Sequence, residues 1–412
     1  MSSLVATEKG HLVPSQCEEL SRWRKAKKRL PLPDALTSGA TVYIYARKHP
    51  DTDAPLVIDI GGDQFTISVE ADVPAWRWYK IYISQPQLAK SGGQIVLWAD
   101  APGMTAWTLG MEGGYADPSS YLSVDGGETW ANERMGLFHN QRGEYLIRLR
   151  IHDDTPPPLL PDFVTEKFDA TQLEELLNWI PDETKEVEDP WLRARSASSW
   201  ISQLWPYNCN GPHYAPWDPF SIQVWGQEEH SYHGQNASAM CVHYAVTMAM
   251  VCQAIEVPVR CVATTGRLHG GDGHYLTEIF SSEWDKWCLL DANLDAAYME
   301  DGVPLSVGEM WQSKDRLWDL LDAGPGFAVQ MDGIEPWIKN IGMTGQCYRL
   351  WAVWPRTDFL SRIDLTPAMH GDGAYRETEW VWCAHDVPDQ ELDMFRYHAT
   401  PKQLNQYGIP IR

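Results

Sequence analysis

Three residues between positions 241 and 291 have the types that thiol-dependent acyl transfer requires. Cys241 follows Ser238, a residue type typical of a helix N-cap, and apolar residues at helical spacing come after it. Cys241 would then lie in the first helical turn, where unpaired N–H groups and the positive end of the helix dipole stabilise a thiolate. A thiolate in that position can attack a carbonyl carbon, provided that a base lies nearby.

A hairpin further along the chain predicts that base. The strand "HYLTEIF" begins with His274, and the strand "KWCLLDAN" reaches Asp291. A loop at Ser281–Trp284 would place His274 directly opposite Asp291 and on the same face of the hairpin. We therefore predict a triad in which Cys241 attacks, His274 transfers protons and Asp291 orients the imidazole.

An oxyanion donor is also expected close to the cysteine. Gln235 precedes Cys241 by six residues, and its side-chain amide is the predicted donor to the developing oxyanion. Backbone N–H groups at the start of the helix would supply the second donor. This interpretation requires no metal and no cofactor, and it leaves the substrate-binding residues unknown.

A cluster of histidines in the same region permits a different interpretation. Five of them lie within about 45 residues, at His230, His233, His243, His269 and His274. HExxH and paired CxxC spacings are absent, so the usual zinc patterns are not present. Alternatives to the triad therefore remain: a metal-dependent hydrolase that uses the cluster at 230–274, or a catalytically silent binding module.

The surrounding chain predicts a multi-domain protein. Short β-rich runs separated by Gly, Pro and Asp indicate a sandwich, and a mixed α/β pattern follows the run "DDTPPPLLPD". We expect a helical N-terminal arm at 1–38, a β-sandwich at 40–153, a Pro-rich linker at 154–162, a catalytic domain at 163–345 and a β-rich extension of it at 346–412.

The predicted sandwich carries two patterns that are associated with sugars. "SVDGGETW" (Ser123–Trp130) resembles the Asp-box of sugar-active β-proteins, in which Ser and Asp side chains close a turn. The run 75–100 resembles jelly-roll carbohydrate-binding modules, which implies a glycan-binding face. The alternative is a structural sandwich with its tryptophans in the core, namely Trp76, Trp78, Trp98 and Trp107.

Several motifs around the triad resemble the transglutaminase-like superfamily. The matching residues are Cys241, Arg260, His274, Glu278, Trp287 and Asp291. Met240 stands where that family usually has Gly, and Tyr275–Leu276 replaces its usual aromatic pattern after the histidine. The resemblance implies a papain-like α+β domain that hydrolyses or transfers an amide or acyl bond, as an amidase or a protease. We expect a peptide, glycan or glycoconjugate as its substrate.

Composition narrows the classes of partner. The formal net charge is −23, which argues against nucleic acid or an anionic membrane as the main partner. The basic run "RWRKAKKRL" (22–30) is expected to be a solvated helix face. No apolar run is long enough to span a membrane. The eight cysteines form no CxxC, and no signal peptide is visible, so a cytoplasmic protein is expected unless a leader was removed.

Overall fold

The computed structural model contains an all-β part followed by an α+β part, and the fold class predicted from the sequence is confirmed. The residues that it describes are 3–8, 16–50, 52–68, 76–101, 106–152, 159–208, 215–227, 237–266, 273–327, 345–361, 379–385, 392 and 394–409. Within these ranges, no helix is both long enough and apolar enough to cross a membrane.

Among the described residues, twelve strands and one helix build the β-sandwich. They are β1 (Ser3–Val5), β2 (Gln16–Leu20), β3 (Lys25–Arg29), β4 (Ala40–Lys48), β5 (Leu56–Ile60), β6 (Asp63–Ile67), β7 (Arg77–Ile83), α1 (Gln85–Ser91), β8 (Gln94–Ala99), β9 (Trp107–Gly113), β10 (Ser120–Ser123), β11 (Gly143–Tyr145) and β12 (Ile147–Ile151). One sheet has the order β1-β12-β4-β9-β11, with β2 beside β9 and β7 beside β4, and the other has the order β10-β3-β8-β5-β6.

The prediction of a helical N-terminal arm is wrong. The described parts of residues 1–38 contain three strands, and β3 pairs with both β8 and β10 inside the five-stranded sheet. Lysine and arginine favour helices only weakly, so pairing with two neighbouring strands overrides that preference. The basic run is therefore a central β-strand with alternating faces, and Ala26 of this strand lies in the sandwich core.

The α+β part follows, with eight helices and nine strands among its described residues. They are α2 (Ala170–Trp179), α3 (Asp182–Lys185), α4 (Pro190–Ile201), α5 (Pro219–Gln227), α6 (Cys241–Ala254), β13 (Val259–Thr265), β14 (Gly273–Ser281), β15 (Lys286–Leu290), β16 (Ala296–Glu300), β17 (Val303–Pro304), α7 (Val307–Met310), α8 (Leu317–Leu320), β18 (Leu321–Ala323), β19 (Leu350–Val353), β20 (Val381–Ala384), β21 (Tyr397–His398) and α9 (Pro401–Gln406). The main sheet has the order β15-β14-β13-β19-β20-β21, and a small sheet has the order β17-β16-β18.

Helix α6 is the centre of the α+β core. All its residues except Gln253 are buried, and they pack against strands of the main sheet and against α4. A helix that is apolar on all sides must be enclosed, which explains why its sequence lacks an amphipathic stripe. The N-cap of helix α2 is Asp169, whose carboxylate accepts a hydrogen bond of 2.8 Å from the Gln172 backbone N–H.

The C-terminal segment belongs to the same sheet as the strands that follow α6. Strand β19 pairs with β13 along four residue pairs, and β20 pairs with β19. Two carbonyl groups close to α9, those of Leu404 and Tyr407, each accept a 2.8 Å hydrogen bond from the Arg260 guanidinium. Residues after 345 therefore support the strands that carry the candidate site.

The four tryptophans named for the sandwich do not share one face. Trp107 is fully buried, as the structural alternative predicts. Trp78 packs against the core of the α+β part, and Trp76 stacks on Tyr45 at a centroid distance of 5.3 Å. Trp98 belongs to the other sheet, where the Lys25 ammonium lies 4.5 Å from its ring centre. A glycan platform built from these four rings is therefore not formed.

The turn at Ser123–Trp130 is closed by side-chain hydrogen bonds. The Ser123 hydroxyl accepts from the Gly127 N–H at 2.8 Å, and the Asp125 carboxylate accepts from the N–H groups of Glu128 and Thr129 at 3.0 Å each. The hydrogen bonds from Thr129, followed by that from Ser123, hold the pKa of the Asp125 carboxyl well below its usual value. These bonds fix the turn beside β10.

Candidate active site

Cys241 is the first residue of helix α6. The N-cap is Met240 in extended conformation, so the predicted cap at Ser238 lies two residues too early. The difference has a structural cause, because Ala239 pairs with Asn208 in an isolated β-bridge and keeps the chain extended up to that point. Cys241 therefore lies in the first turn of α6. The N–H groups of this turn have no carbonyl acceptor four residues earlier within the helix.

His274 and Asp291 form a buried pair. The His274 Nε2 atom lies 2.7 Å from Asp291 Oδ2, and both side chains are about 1% exposed. The other carboxylate oxygen, Oδ1, accepts hydrogen bonds from the N–H groups of Asn293 and Leu294 at 3.0 and 3.1 Å. The turn after β15 therefore fixes the carboxylate, and the carboxylate fixes the imidazole.

The strand register that brings them together differs from the predicted one. The ladder pairs Ser281 with Lys286 and Thr277 with Leu290, so the hairpin loop lies one residue later than expected and the register shifts by two. Asp285, with φ of 50°, supplies the left-handed residue of this turn. Because the shift is an even number of residues, His274 stays on the predicted face and contacts Asp291 diagonally.

The charge state of His274 follows from its surroundings. Burial lowers the pKa of this imidazole, but the Asp291 carboxylate, its hydrogen bond and the interaction with the Cys241 thiol raise it to about 10. His274 is therefore an imidazolium at neutral pH. Because Nε2 is hydrogen-bonded to Asp291, Nδ1 is the ring nitrogen that can interact with the thiol. The groups therefore follow in the order thiol, imidazole, carboxylate.

His243 has a structural part in the same region. Its Nδ1 accepts the Met240 backbone N–H at 2.9 Å, and its Nε2 lies 2.9 Å from the Ala215 carbonyl oxygen. The ring is thus a neutral tautomer that donates to Ala215 and closes the first turn of α6. Both nitrogens are used by the backbone, which leaves no lone pair for a metal.

Some predicted residues fall outside the described part of the chain. They include Gln235 and three of the five clustered histidines, His230, His233 and His269. Among the residues that the structure does describe, no group of three or more His, Cys, Asp or Glu side chains is arranged to hold a metal ion. The oxyanion role of Gln235 stays a prediction.

Sequence reasoning missed Trp205. This residue is 2% exposed, and its indole N–H has no acceptor among the residues that the structure describes. Its ring packs on Tyr244 at a centroid distance of 4.6 Å, and Tyr244 lies one helical turn after Cys241. The Tyr244 hydroxyl donates to the Trp205 carbonyl oxygen at 2.6 Å, which holds the two side chains together. A buried donor without an acceptor costs about 1–3 kcal/mol and is therefore a candidate for binding a ligand oxygen.

Arg260 and Glu278 form the ion pair that supports the strands of the site. The Arg260 Nε and Nη2 atoms donate to Glu278 Oε2 at 2.8 and 2.5 Å, and the Val307 N–H donates to Oε1 at 2.8 Å. The guanidinium also lies 4.3 Å from the centre of the Trp287 ring. Three of the residues on which the family resemblance rests thus form one buried cluster across β13, β14 and β15.

Three other buried cysteines have thiols with a raised pKa. Burial raises the pKa of Cys252 and Cys261 far above the ordinary thiol value, and it raises that of Cys288 to about 12. None of these three is a useful nucleophile at neutral pH.

One of the comparisons with known proteins finds a similar family. Residues 180–292 match the model of the transglutaminase-like superfamily, so the resemblance predicted from the motifs is confirmed for that region. Within the α+β part of the predicted fold class, this region is similar to the transglutaminase-like superfamily. No curated protein matches the chain. One solved structure, from Cytophaga hutchinsonii and proposed to be a cysteine protease, is 11% identical, with 71% of this chain and 77% of that one covered and a TM-score of 0.22. The similarity to known proteins therefore rests on the match to the family model.

Proposed function

We propose that the protein is a thiol-dependent acyl-transfer enzyme of the transglutaminase-like type, with Cys241, His274 and Asp291 as its catalytic triad. The observation that carries the proposal is the buried His274–Asp291 pair, together with the raised pKa of His274, to which the Asp291 carboxylate and the Cys241 thiol at the start of α6 both contribute. The matching family model supports it, since the matched region ends just after Asp291.

The chemistry proceeds in two balanced halves. The Cys241 thiolate attacks the carbonyl carbon of an amide, and a C–S bond forms as the carbonyl π electrons move to oxygen. When the oxyanion collapses, the C–N bond breaks, and the His274 imidazolium gives its proton to the leaving nitrogen. Water or an amine then attacks the thioester, His274 takes the proton of that nucleophile, and the C–S bond breaks to restore the thiolate.

We assign the oxyanion to donors at the start of α6 and to the Trp205 indole N–H, whose burial without an acceptor supports this role. Gln235 stays a candidate for the same role. The acceptor of the acyl group decides between hydrolysis, as in an amidase or protease, and transfer to an amine. We retain a peptide, glycan or glycoconjugate as the proposed substrate.

The experiment is an activity screen with matched variants. Release of ammonia or amine is measured from a panel of peptide amides, glycopeptides and amino sugars, with and without a chelator. Cys241→Ala should abolish turnover, whereas Cys347→Ala, at a buried cysteine outside the proposed triad, and the chelator should leave it unchanged. Activity that survives Cys241→Ala and disappears with the chelator would favour the metal-dependent alternative. An unaltered protein that turns over no substrate and whose Cys241 thiol is unreactive would favour the silent module.

A further inference from the structure

The outward side of strand β3 carries three cations, on the sheet that faces away from the α+β part. Lys25, Lys27 and Arg29 occupy alternate positions of β3, about 7 Å apart, while Ala26 of the same strand faces the core. The contacts to the α+β part come from the other sheet, where the Arg148 guanidinium donates to the Met394 carbonyl oxygen at 3.0 Å.

Aromatic rings hold these cations in place. The Lys27 ammonium lies 4.1 Å from the centre of the Trp130 ring and 5.1 Å from that of Tyr121. The Lys25 ammonium lies over Trp98, and the Arg29 guanidinium lies 5.5 Å from the Tyr121 ring centre. We call this set the cationic face, and its members are Lys25, Lys27, Arg29, Trp98, Tyr121 and Trp130.

The cationic face lacks counter-charges. In the described part of the chain, none of Lys25, Lys27 and Arg29 forms an ion pair with a carboxylate, although the whole chain has 56 acidic and 33 basic residues. Lys27 is only 8% exposed, and burial, followed by the nearby Arg29, lowers its pKa. Burying a cation without a carboxylate is costly, so the arrangement is explained if an external anion completes it.

The rest of the same sheet surface is mixed and mostly polar. Gln94 lies opposite Arg29 on β8, and Gln64 and Thr66 are exposed on β6. Asp59, on β5 between these strands, is a carboxylate on this surface, and its register pairs it with Val96 and Gln64. Amides, a hydroxyl and a carboxylate can each hydrogen-bond sugar hydroxyls.

An exposed ring flanks the cationic face. Trp23 is 56% exposed, and it lies against Gly126 in the turn that also carries Trp130. Its carbonyl oxygen accepts the Gly126 N–H at 2.9 Å, which fixes its position at the end of β3. An apolar ring that is rigidly placed and largely bare beside cations offers a stacking surface for a sugar ring.

From these observations we propose that the cationic face binds an acidic glycan, with Lys25, Lys27 and Arg29 on its carboxylates or sulfates and Gln94, Gln64 and Thr66 on its hydroxyls. The amide and hydroxyl groups beside the cations suit the hydroxyls of a sugar chain, which favours this partner over single-stranded nucleic acid, whose binding requires a continuous basic groove. The site is independent of the chemistry of Cys241.

The test measures binding by the full chain carrying Cys241→Ala, so that a failure of binding and a failure of the proposed chemistry are separate results. The probes are galacturonic acid oligosaccharides, their fully methyl-esterified neutral forms and a single-stranded DNA of the same charge. We expect the acidic oligosaccharides to bind best, with an affinity that falls as salt rises.

The double variant Lys25→Gln/Arg29→Gln should weaken that binding by about tenfold or more, because two charge contacts are lost. Lys80→Gln, at an exposed lysine of β7 in the other sheet, is the matched control and should bind normally. Absence of binding, equal binding of the neutral esters, tighter binding of DNA, or an unaffected double variant would each overturn the proposal.

Discussion

The Nε2 atom of His274 lies 2.7 Å from Oδ2 of Asp291, although the two residues stand diagonally and not directly opposite each other in the hairpin. Asp291 reaches the ring because it lies just beyond the end of β15, where the N–H groups of Asn293 and Leu294 turn its carboxylate towards His274. The turn after β15 therefore positions the His274–Asp291 pair as much as the pairing of β14 with β15 does. Substitutions that displace either element are expected to disturb the pair.

Selective alkylation is the first expected consequence. Iodoacetamide at pH 6–7 should label Cys241 before any other cysteine, because burial raises the pKa of Cys252, Cys261 and Cys288. Peptide mass spectrometry measures the rate at each site. His274→Ala should slow labelling of Cys241 by about tenfold or more, since the imidazolium that stabilises the thiolate is lost. His152→Gln, on the exposed sandwich surface, should leave the rate unchanged, and uniformly slow labelling of all cysteines in the unaltered protein would contradict the account.

Replacing the orienting carboxylate tests the turn. Asp291→Asn should lower kcat by about two to four orders of magnitude with little change in KM, because an amide cannot stabilise the imidazolium or hold its tautomer. The matched control is Asp295→Asn in the same turn. That carboxylate accepts from the Gly326 N–H at 2.7 Å and the Ser199 hydroxyl at 2.9 Å, and asparagine tolerates its φ of 53°. This control should lower thermal stability and keep kcat, and an equal loss of kcat in both variants would argue against a specific role for Asp291.

The contribution of His274 to stability should fall as pH rises from neutral. The pKa of His274 is raised from an ordinary 6.5 to about 10, so its contribution is fully present below about pH 6.5 and is lost as pH rises through about 10. Between these values the imidazole binds up to one more proton in the native state than in the unfolded state, so His274 contributes a downward slope of up to about 1.4 kcal/mol per pH unit. Urea unfolding between pH 7 and 9 should show a shallower slope for His274→Gln, and identical slopes would refute the assigned charge state.

The Arg260–Glu278 pair should matter for stability more than for chemistry. Glu278→Gln leaves the Arg260 guanidinium buried without a counter-charge, and the expected loss is about 3–5 kcal/mol in the free energy of unfolding. Asp100→Asn removes the exposed pair with Arg22 and should cost no more than about 1 kcal/mol. Denaturant melts of the two variants make the comparison, and similar losses would show that burial of the first pair has no energetic consequence.

Trp205 is expected to act on the transition state. Trp205→Phe keeps an aromatic ring against Tyr244 but removes the indole donor, and it should lower kcat by about tenfold or more with a smaller effect on KM. Trp287→Phe removes another buried indole N–H that has no acceptor in the described part of the structure, on the β15 side of the sheet. It should leave kcat unchanged, so an equal loss in both variants would point to a structural effect.

The His274–Asp291 pair could be predicted from local patterns because each pattern depends on one property of the strands. Periodicity located the strands that carry His274 and Asp291, and side-chain alternation survived a register error, since a shift of two residues keeps the same face. The length of a hairpin loop depends on where a left-handed residue falls, here Asp285, and residue types alone do not specify that position.

Other features depend on contacts between distant segments. The helix begins at Cys241 and not after Ser238 because residue 208 pairs with residue 239, and no local pattern encodes that bridge. The basic run at 22–30 becomes a strand because β8 and β10 accept it on either side. The role of Trp205 is equally non-local, since only the folded chain shows its indole N–H buried without an acceptor.

The most direct measurement of the central claim is the site of acyl-enzyme formation. The full chain is mixed with p-nitrophenyl acetate, quenched in acid and digested, and the acetylated peptides are identified by mass spectrometry over time. The account predicts rapid acetylation of Cys241 that decays by hydrolysis, slower acetylation of Cys241 in Asp291→Asn and none of that peptide in Cys241→Ala. Acetylation spread evenly over lysines and cysteines, or the same Cys241 rate with and without the Asp291 carboxylate, would contradict it.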